Sequence, residues 1–312
     1  MAMPVSPAHS FKYLILIIIL AGCQRSCQEI EPCLRYHPPK ELVQSLPTAF
    51  PYLSPDEKKQ EWSKEYFLGI KFAQELDWYR AITCFKRSQF FLPAKEKERK
   101  LQNVYTVLQS YYMGKKYQEA LDIFETTPLN TVTTDFPAFR ELSIMAADSY
   151  HHTDRDEKAC YQLEKLAAFD AATADKLSLS WELQSGNLCH APESLCDFTN
   201  CYRKYAKSTT QARLMNALLP GAGYAYVGQY RTAMTSLILN ALFITASYQL
   251  FKNKQTGWGI VTASLEAGWY LGGINGAGLA AREYNERLYE SGAKEVMVRE
   301  RLFPVLFFQT LF

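Results

Sequence analysis

The chain reads as all-α: paired helices repeat along its first two-thirds, and a helical hairpin long enough to cross a membrane follows. Three observations predict this. Ala81, Ala120 and Ala159 stand 39 residues apart, each set among aromatic and aliphatic residues at helical spacing. Residues 230–251 and 256–281 are nearly free of charge, and as helices they measure about 33–39 Å, enough for a bilayer. No run of about ten residues alternates apolar and polar side chains as a barrel strand would.

The first element is an address. Residues 14–20 are seven consecutive Leu or Ile, which as a helix would cover only about 10 Å. A short apolar run after Lys12 and before the small residues Ala21 and Gly22 is the pattern of a secretory signal. Leu20-Ala21-Gly22-Cys23 resembles the lipobox of bacterial lipoproteins. That resemblance implies cleavage after residue 22 and a covalent lipid such as palmitate on Cys23, with the rest of the chain outside the cytoplasm.

Composition sets further bounds. A net charge of +2 over 312 residues gives no reason to expect nucleic acid as a partner. With Cys23 assigned to lipid, seven of the eight cysteines remain, an odd number that cannot pair completely within one chain. Cys189, Cys196 and Cys201 are near enough in sequence for a bridge, but they lack the Cys-x-x-Cys pair of a zinc site, so no metal is expected. Residues 23–58 contain six prolines from Pro32 to Pro55. That density favours extended chain and predicts a tether between membrane and folded body.

Residues 59–207 form the repeats. In the first, Leu68-Gly69, Phe72, Ala81, Phe85 and Pro93 fall where the tetratricopeptide (TPR) pattern places its Leu-Gly, Tyr, Ala, Phe and Pro. The second copy carries Leu108, Tyr111, Tyr117, Ala120 and Phe124 in register, and the third Ala147, Tyr150, Ala159 and Leu163. Residues 171–207, with Trp181, supply a degenerate fourth pair or a cap. The resemblance to TPR proteins implies an α-solenoid whose inner groove, lined from the first helix of each repeat, binds a protein or peptide. Carried over by position, the groove residues are Tyr66, Ile70, Tyr105, Gln109, Tyr112, Ile144, Asp148 and His151.

Residues 208–285 form the membrane module. Its entrance, "LPGAGYAYVGQ", resembles the Pro-Gly-x-Gly-x-x-Tyr-x-Gly signature that opens small two-helix membrane modules in bacterial proteins. Tyr224 and Tyr226 would then sit at the interface. In the second span Gly268, Gly272 and Gly276 recur every fourth residue, a small-residue row that predicts a closely packed hairpin or a hairpin-mediated oligomer. Asn240 and Glu266 lie at nearly equal distance from the turn at residues 252–255, so a hydrogen bond across the hairpin is expected at mid-membrane. Residues 286–312 return to charged helix and end in the apolar "FPVLFFQTLF".

No phosphate loop, His-Glu-x-x-His, Gly-x-Ser-x-Gly or paired-Cys motif is present, so neither an enzyme nor a cofactor is expected. The expectation is an envelope lipoprotein that scaffolds a partner through its repeats, in the inner membrane rather than the outer. The alternative is a non-catalytic subunit of an envelope transport or assembly machine that uses the hairpin.

Overall fold

The computed structural model describes residues 30–186 and 195–312. Among these the chain is all-helical, with no strand. Cys23 and the signal segment lie outside the described residues, as does Cys189. Cys33, Cys84, Cys160, Cys196 and Cys201 are free thiols. The chain divides into two compact units. Of the described residues, one joins Arg35–Leu183 to Glu295–Phe312, and the other joins residues 30–34 to those within 184–294.

The first unit begins with a short helix, α1 (Lys40–Ser45). Three helix pairs follow: α2 (Glu61–Gln74) with α3 (Trp78–Phe91), α4 (Lys97–Met113) with α5 (Tyr117–Thr126), and α6 (Phe139–His151) with α7 (Asp156–Phe169). The next helix, α8 (Ala171–Ser185), brings Trp181. The 39-residue period is visible in the backbone. Leu76, Lys115 and Asp154 occupy the same turn position with φ of 62°, 58° and 55°. In each turn the next amide closes the helix: Asp77 N–H donates to Phe72 O (2.9 Å), Lys116 N–H to Tyr111 O (2.9 Å) and Arg155 N–H to Tyr150 O (3.0 Å).

Side chains repeat likewise. Ala81, Ala120 and Ala159 are buried at the contact between the helices of each pair, where a larger residue would hold them apart. Gly69 is small for a specific reason: a Cβ there would lie 2.6 Å from Cε1 of Phe85, which is fully buried. Substituting Phe85 with Ala would cost about 3–5 kcal/mol.

The first helices of the second and third pairs are buried almost all round. On α4 every residue from Gln102 to Ser110 is inaccessible, and on α6 every residue from Glu141 to Tyr150. A helix with a solvated face cannot look like this. The second helices cover one side, and two non-helical segments cover the other: residues 46–53, and the C-terminal tail, in which a 3-10 turn (Pro304–Phe307) runs into a short non-helical end; they put Phe50, Phe307, Phe308, Leu311 and Phe312 into the same core as Tyr105, Tyr112 and Ile144. The proline-rich segment is therefore no free spacer beyond residue 40. Val43 and Phe50 anchor it, and Arg99 holds the carbonyls of Pro51 (2.8 Å) and Tyr52 (3.2 Å).

The second unit contains α9 (Cys196–Tyr205), α10 (Thr209–Leu218), α11 (Ala222–Tyr226), α12 (Tyr230–Lys252) and α13, which runs Thr256–Arg299. The charged stretch after residue 285 is thus no separate helix but the continuation of α13. The Pro-Gly-x-Gly string has a steric explanation. Gly221 has φ 92°, and a Cβ there would stand 2.3 Å from Ala233 O. A Cβ at Gly223 would stand 2.2 Å from Ala212 O. The Asn216 side chain accepts from Gly221 N–H at 2.9 Å and fixes the turn.

One described helix, Tyr230–Lys252, is long and apolar enough to cross a membrane, with mean hydropathy 1.3 and only 17% of that window buried. The expectation of two such spans is met once. Residues 256–281 carry seven glycines with Trp258, Trp269 and Tyr270, and these dilute the aliphatic content. The glycine row does not pack within the chain: a Cβ at Gly268 or Gly272 would meet nothing within 4 Å, and of the three only Gly276 is closely approached, by the Tyr224 hydroxyl. Nor does Asn240 bond to Glu266. Its Nδ2 donates to Ser236 O (2.6 Å), while its Oδ1 and both Glu266 oxygens are buried without a hydrogen-bond partner.

Candidate functional site

The expected groove residues do lie on the first helices, but they do not form an open surface. Tyr66, Tyr105, Gln109, Tyr112, Ile144 and Asp148 are all buried. Residues 307–312 of the chain itself cover part of this face. Phe312 stacks at 6.1 Å from Trp78 and 6.2 Å from Phe85, and Phe308 packs at 5.9 Å from Tyr112.

The tail is held mainly through its backbone. Glu141 Oε1 accepts from the amides of Gln309 (3.0 Å) and Thr310 (3.3 Å). Gln109 Oε1 accepts from Phe312 N–H (3.1 Å), while its Nε2 donates to the Tyr105 hydroxyl (3.1 Å). Arg140 donates to Phe307 O (2.6 Å) and is itself aimed by Asp170 (2.8 Å) and Thr173 (2.7 Å). The remaining anchor is Leu311 N–H, which donates to Pro47 O on the other covering segment (2.8 Å).

The electrostatics are those of a closed polar network. The Arg140 guanidinium, with Thr173, holds the Asp170 carboxyl below its ordinary range. Arg99 does the same for Glu57, bringing it to about 2 through a 2.7 Å charged hydrogen bond. Burial pushes the phenols of Tyr66, Tyr105 and Tyr112 well up, so they remain neutral donors and acceptors.

The eight expected residues divide by role. Gln109 and Tyr112 touch the tail, and Tyr105 supports Gln109 and packs on Phe50 (5.3 Å). Tyr66 and Ile70 line a cavity of about 640 Å³ that opens beside Phe312. Ile144 is core. Asp148 is structural, receiving the Tyr112 hydroxyl (2.7 Å) and Trp181 Nε1 (2.9 Å), and His151 stacks on Trp181 at 4.5 Å. Sequence reasoning missed Arg140 and Glu141, the two strongest backbone clamps. Their signal was an adjacent pair of opposite charges in the first turn of the helix.

Among the described residues no group of three or more His, Cys, Asp or Glu is arranged to hold a metal ion. Compared with known proteins, the chain matches no family model, and no curated protein or solved structure matches it either.

Proposed function

We propose that this protein is a bacterial envelope lipoprotein acting as a protein-binding scaffold. In this reading a TPR-like α-solenoid grips an extended partner peptide, Cys23 carries the lipid, and α12 with the first half of α13 forms a transmembrane hairpin. The observation that carries it is the face formed by the first helices of the repeats, which already holds a non-helical end segment by side-chain bonds to its backbone. The identical turns at Leu76, Lys115 and Asp154 support the repeat architecture.

Membrane insertion is supported by the outward faces of the two long helices. Leu237, Ile238 and Leu242 on α12, and Ile260, Leu265 and Leu271 on α13, are all exposed. A contiguous apolar surface of this kind belongs in lipid rather than water. The inner membrane is favoured, because apolar hairpins partition there before any later sorting step. As a scaffold the protein performs no reaction of its own.

One observation favours the second reading, a subunit of a transport or assembly machine. Glu266 is buried on an apolar helix with neither oxygen hydrogen-bonded, and an intramembrane carboxyl of that kind commonly serves a pathway. Affinity purification from detergent extracts separates the two. Scaffolding predicts a partner lost on Ile70→Asp but retained on Glu266→Gln, and the machine reading predicts the reverse.

A further inference from the structure

The face that the scaffold reading gives to a partner is occupied, and the way it is occupied describes the partner. We infer that residues 302–312 are a displaceable internal ligand, and that the partner peptide repeats its pattern and its shape, a 3-10 turn running into a short extended end. The pattern is two adjacent apolar residues, two polar ones and two apolar ones, as in Phe307-Phe308-Gln309-Thr310-Leu311-Phe312. This rests on the scaffold reading of the same face and adds the chemistry of the ligand and the reason the face is closed.

Three features set the tail apart from an ordinary core strap. Four of its backbone groups are gripped by Arg140, Glu141 and Gln109, bonds that any peptide of the same shape would make. Its side chains enter sockets formed by Trp78, Phe85 and Tyr112, which select aromatic residues. It also does not fill the groove: the cavity of about 640 Å³ continues past Leu311 and Phe312, walled by Phe50, Tyr66, Phe67 and Ile70.

The third feature answers an energetic objection. A ligand tethered in cis acts at an effective concentration in the millimolar range, so a free peptide making only the same contacts would lose. A partner that also fills the cavity buries apolar surface the tail leaves unused and gains the advantage. The junction is compact: α13 ends at Arg299, Arg301 turns with φ 54°, and Leu302 N–H closes on Met297 O at 2.7 Å. The tail thus leaves the helix through one short turn.

The test converts the tail into a true ligand without removing an atom of the core. A protease site is inserted between Arg301 and Leu302 of the full-length protein in detergent, and the chain is cut. A fluorescein-labelled peptide of residues 302–312 is then added in excess. The inference predicts that the cut protein keeps its helicity, takes up the label as the severed tail leaves, and ignores a peptide of permuted sequence. The uncut protein stays unlabelled. Adding two apolar residues after Phe312 should tighten binding by about tenfold. A severed tail that never exchanges, a protein that unfolds on cutting, or equal uptake of the permuted peptide would each overturn the inference. The scaffold reading fails separately, when the intact chain copurifies with no partner that depends on Ile70.

Discussion

Glu141→Ala isolates the clamp on the tail. Its carboxylate is 3% exposed and accepts two backbone amides, from Gln309 at 3.0 Å and Thr310 at 3.3 Å. A hydrogen bond to a charged group contributes about 1.5–3 kcal/mol. Gln309 is exposed, so water replaces much of what its amide loses, whereas Thr310 is half-buried and recovers less. The combined loss is therefore about 2–3 kcal/mol, or roughly 30- to 150-fold in the opening equilibrium of the tail. Hydrogen exchange reads this directly. The amides of residues 309–312 should exchange roughly 30- to 150-fold faster in the variant, while those of α3 are unchanged. Glu141→Gln, which keeps one acceptor oxygen, should fall between. The reasoning is refuted if the wild-type tail amides exchange at free-peptide rates, or if Glu141→Ala leaves them as slow as before.

Three further outcomes follow from the same structure. Glu57 has its carboxyl lowered from 4.5 to about 2. A depressed carboxyl contributes stability above its unfolded value and loses it as pH falls toward the folded one. The melting temperature should therefore hold from neutrality down to about pH 5 and drop between 4.5 and 2, and Glu57→Gln should flatten that drop; an equally steep drop would remove the Arg99 clamp from the account. Metabolic labelling with a palmitate analogue should mark the protein, and label that persists in Cys23→Ala would refute lipidation there. In a chain that keeps Cys23 and has its remaining cysteines replaced by Ser, a Cys at Asn253 should resist an impermeant maleimide while one at Ser291 reacts once the outer barrier is permeabilised. Equal reaction at both would mean the hairpin does not cross.

How much was legible in sequence depended on the range of the interaction. The 39-residue period could be read because Ala81, Ala120 and Ala159 each solve a local problem, the approach of two neighbouring helices. Gly221 and Gly223 were legible for the same reason, since the closest atoms that exclude a Cβ, Ala233 O and Ala212 O, lie within about a dozen residues. The cover over the inner face was not legible. Gln109 and Glu141 meet residues 203 and 168 positions away, and no local pattern encodes such a pairing. Tyr105 and Tyr112 lie on the first helix of the second pair as expected, but whether they are exposed depends on the tail and on Phe50. Their replacement by Ala would consequently damage the core. In α13 the small-residue row was read as a contact within the hairpin or between hairpins; within the chain Gly268 and Gly272 meet nothing, while Glu266 is buried.

The central claim is that the inner face of the repeats receives a partner's apolar segment in place of the chain's own tail. A photo-reactive amino acid at Ile70, half-buried on the wall of the cavity beside Phe312, tests it in living cells. The account predicts a cross-link to a second protein, mapped by mass spectrometry to a segment with paired apolar residues. Yield should rise when Phe308→Ala loosens the tail and vanish when the probe is moved to exposed Tyr161 on α7. Cross-links confined to this chain, with the tail loosened as well as intact, would contradict it.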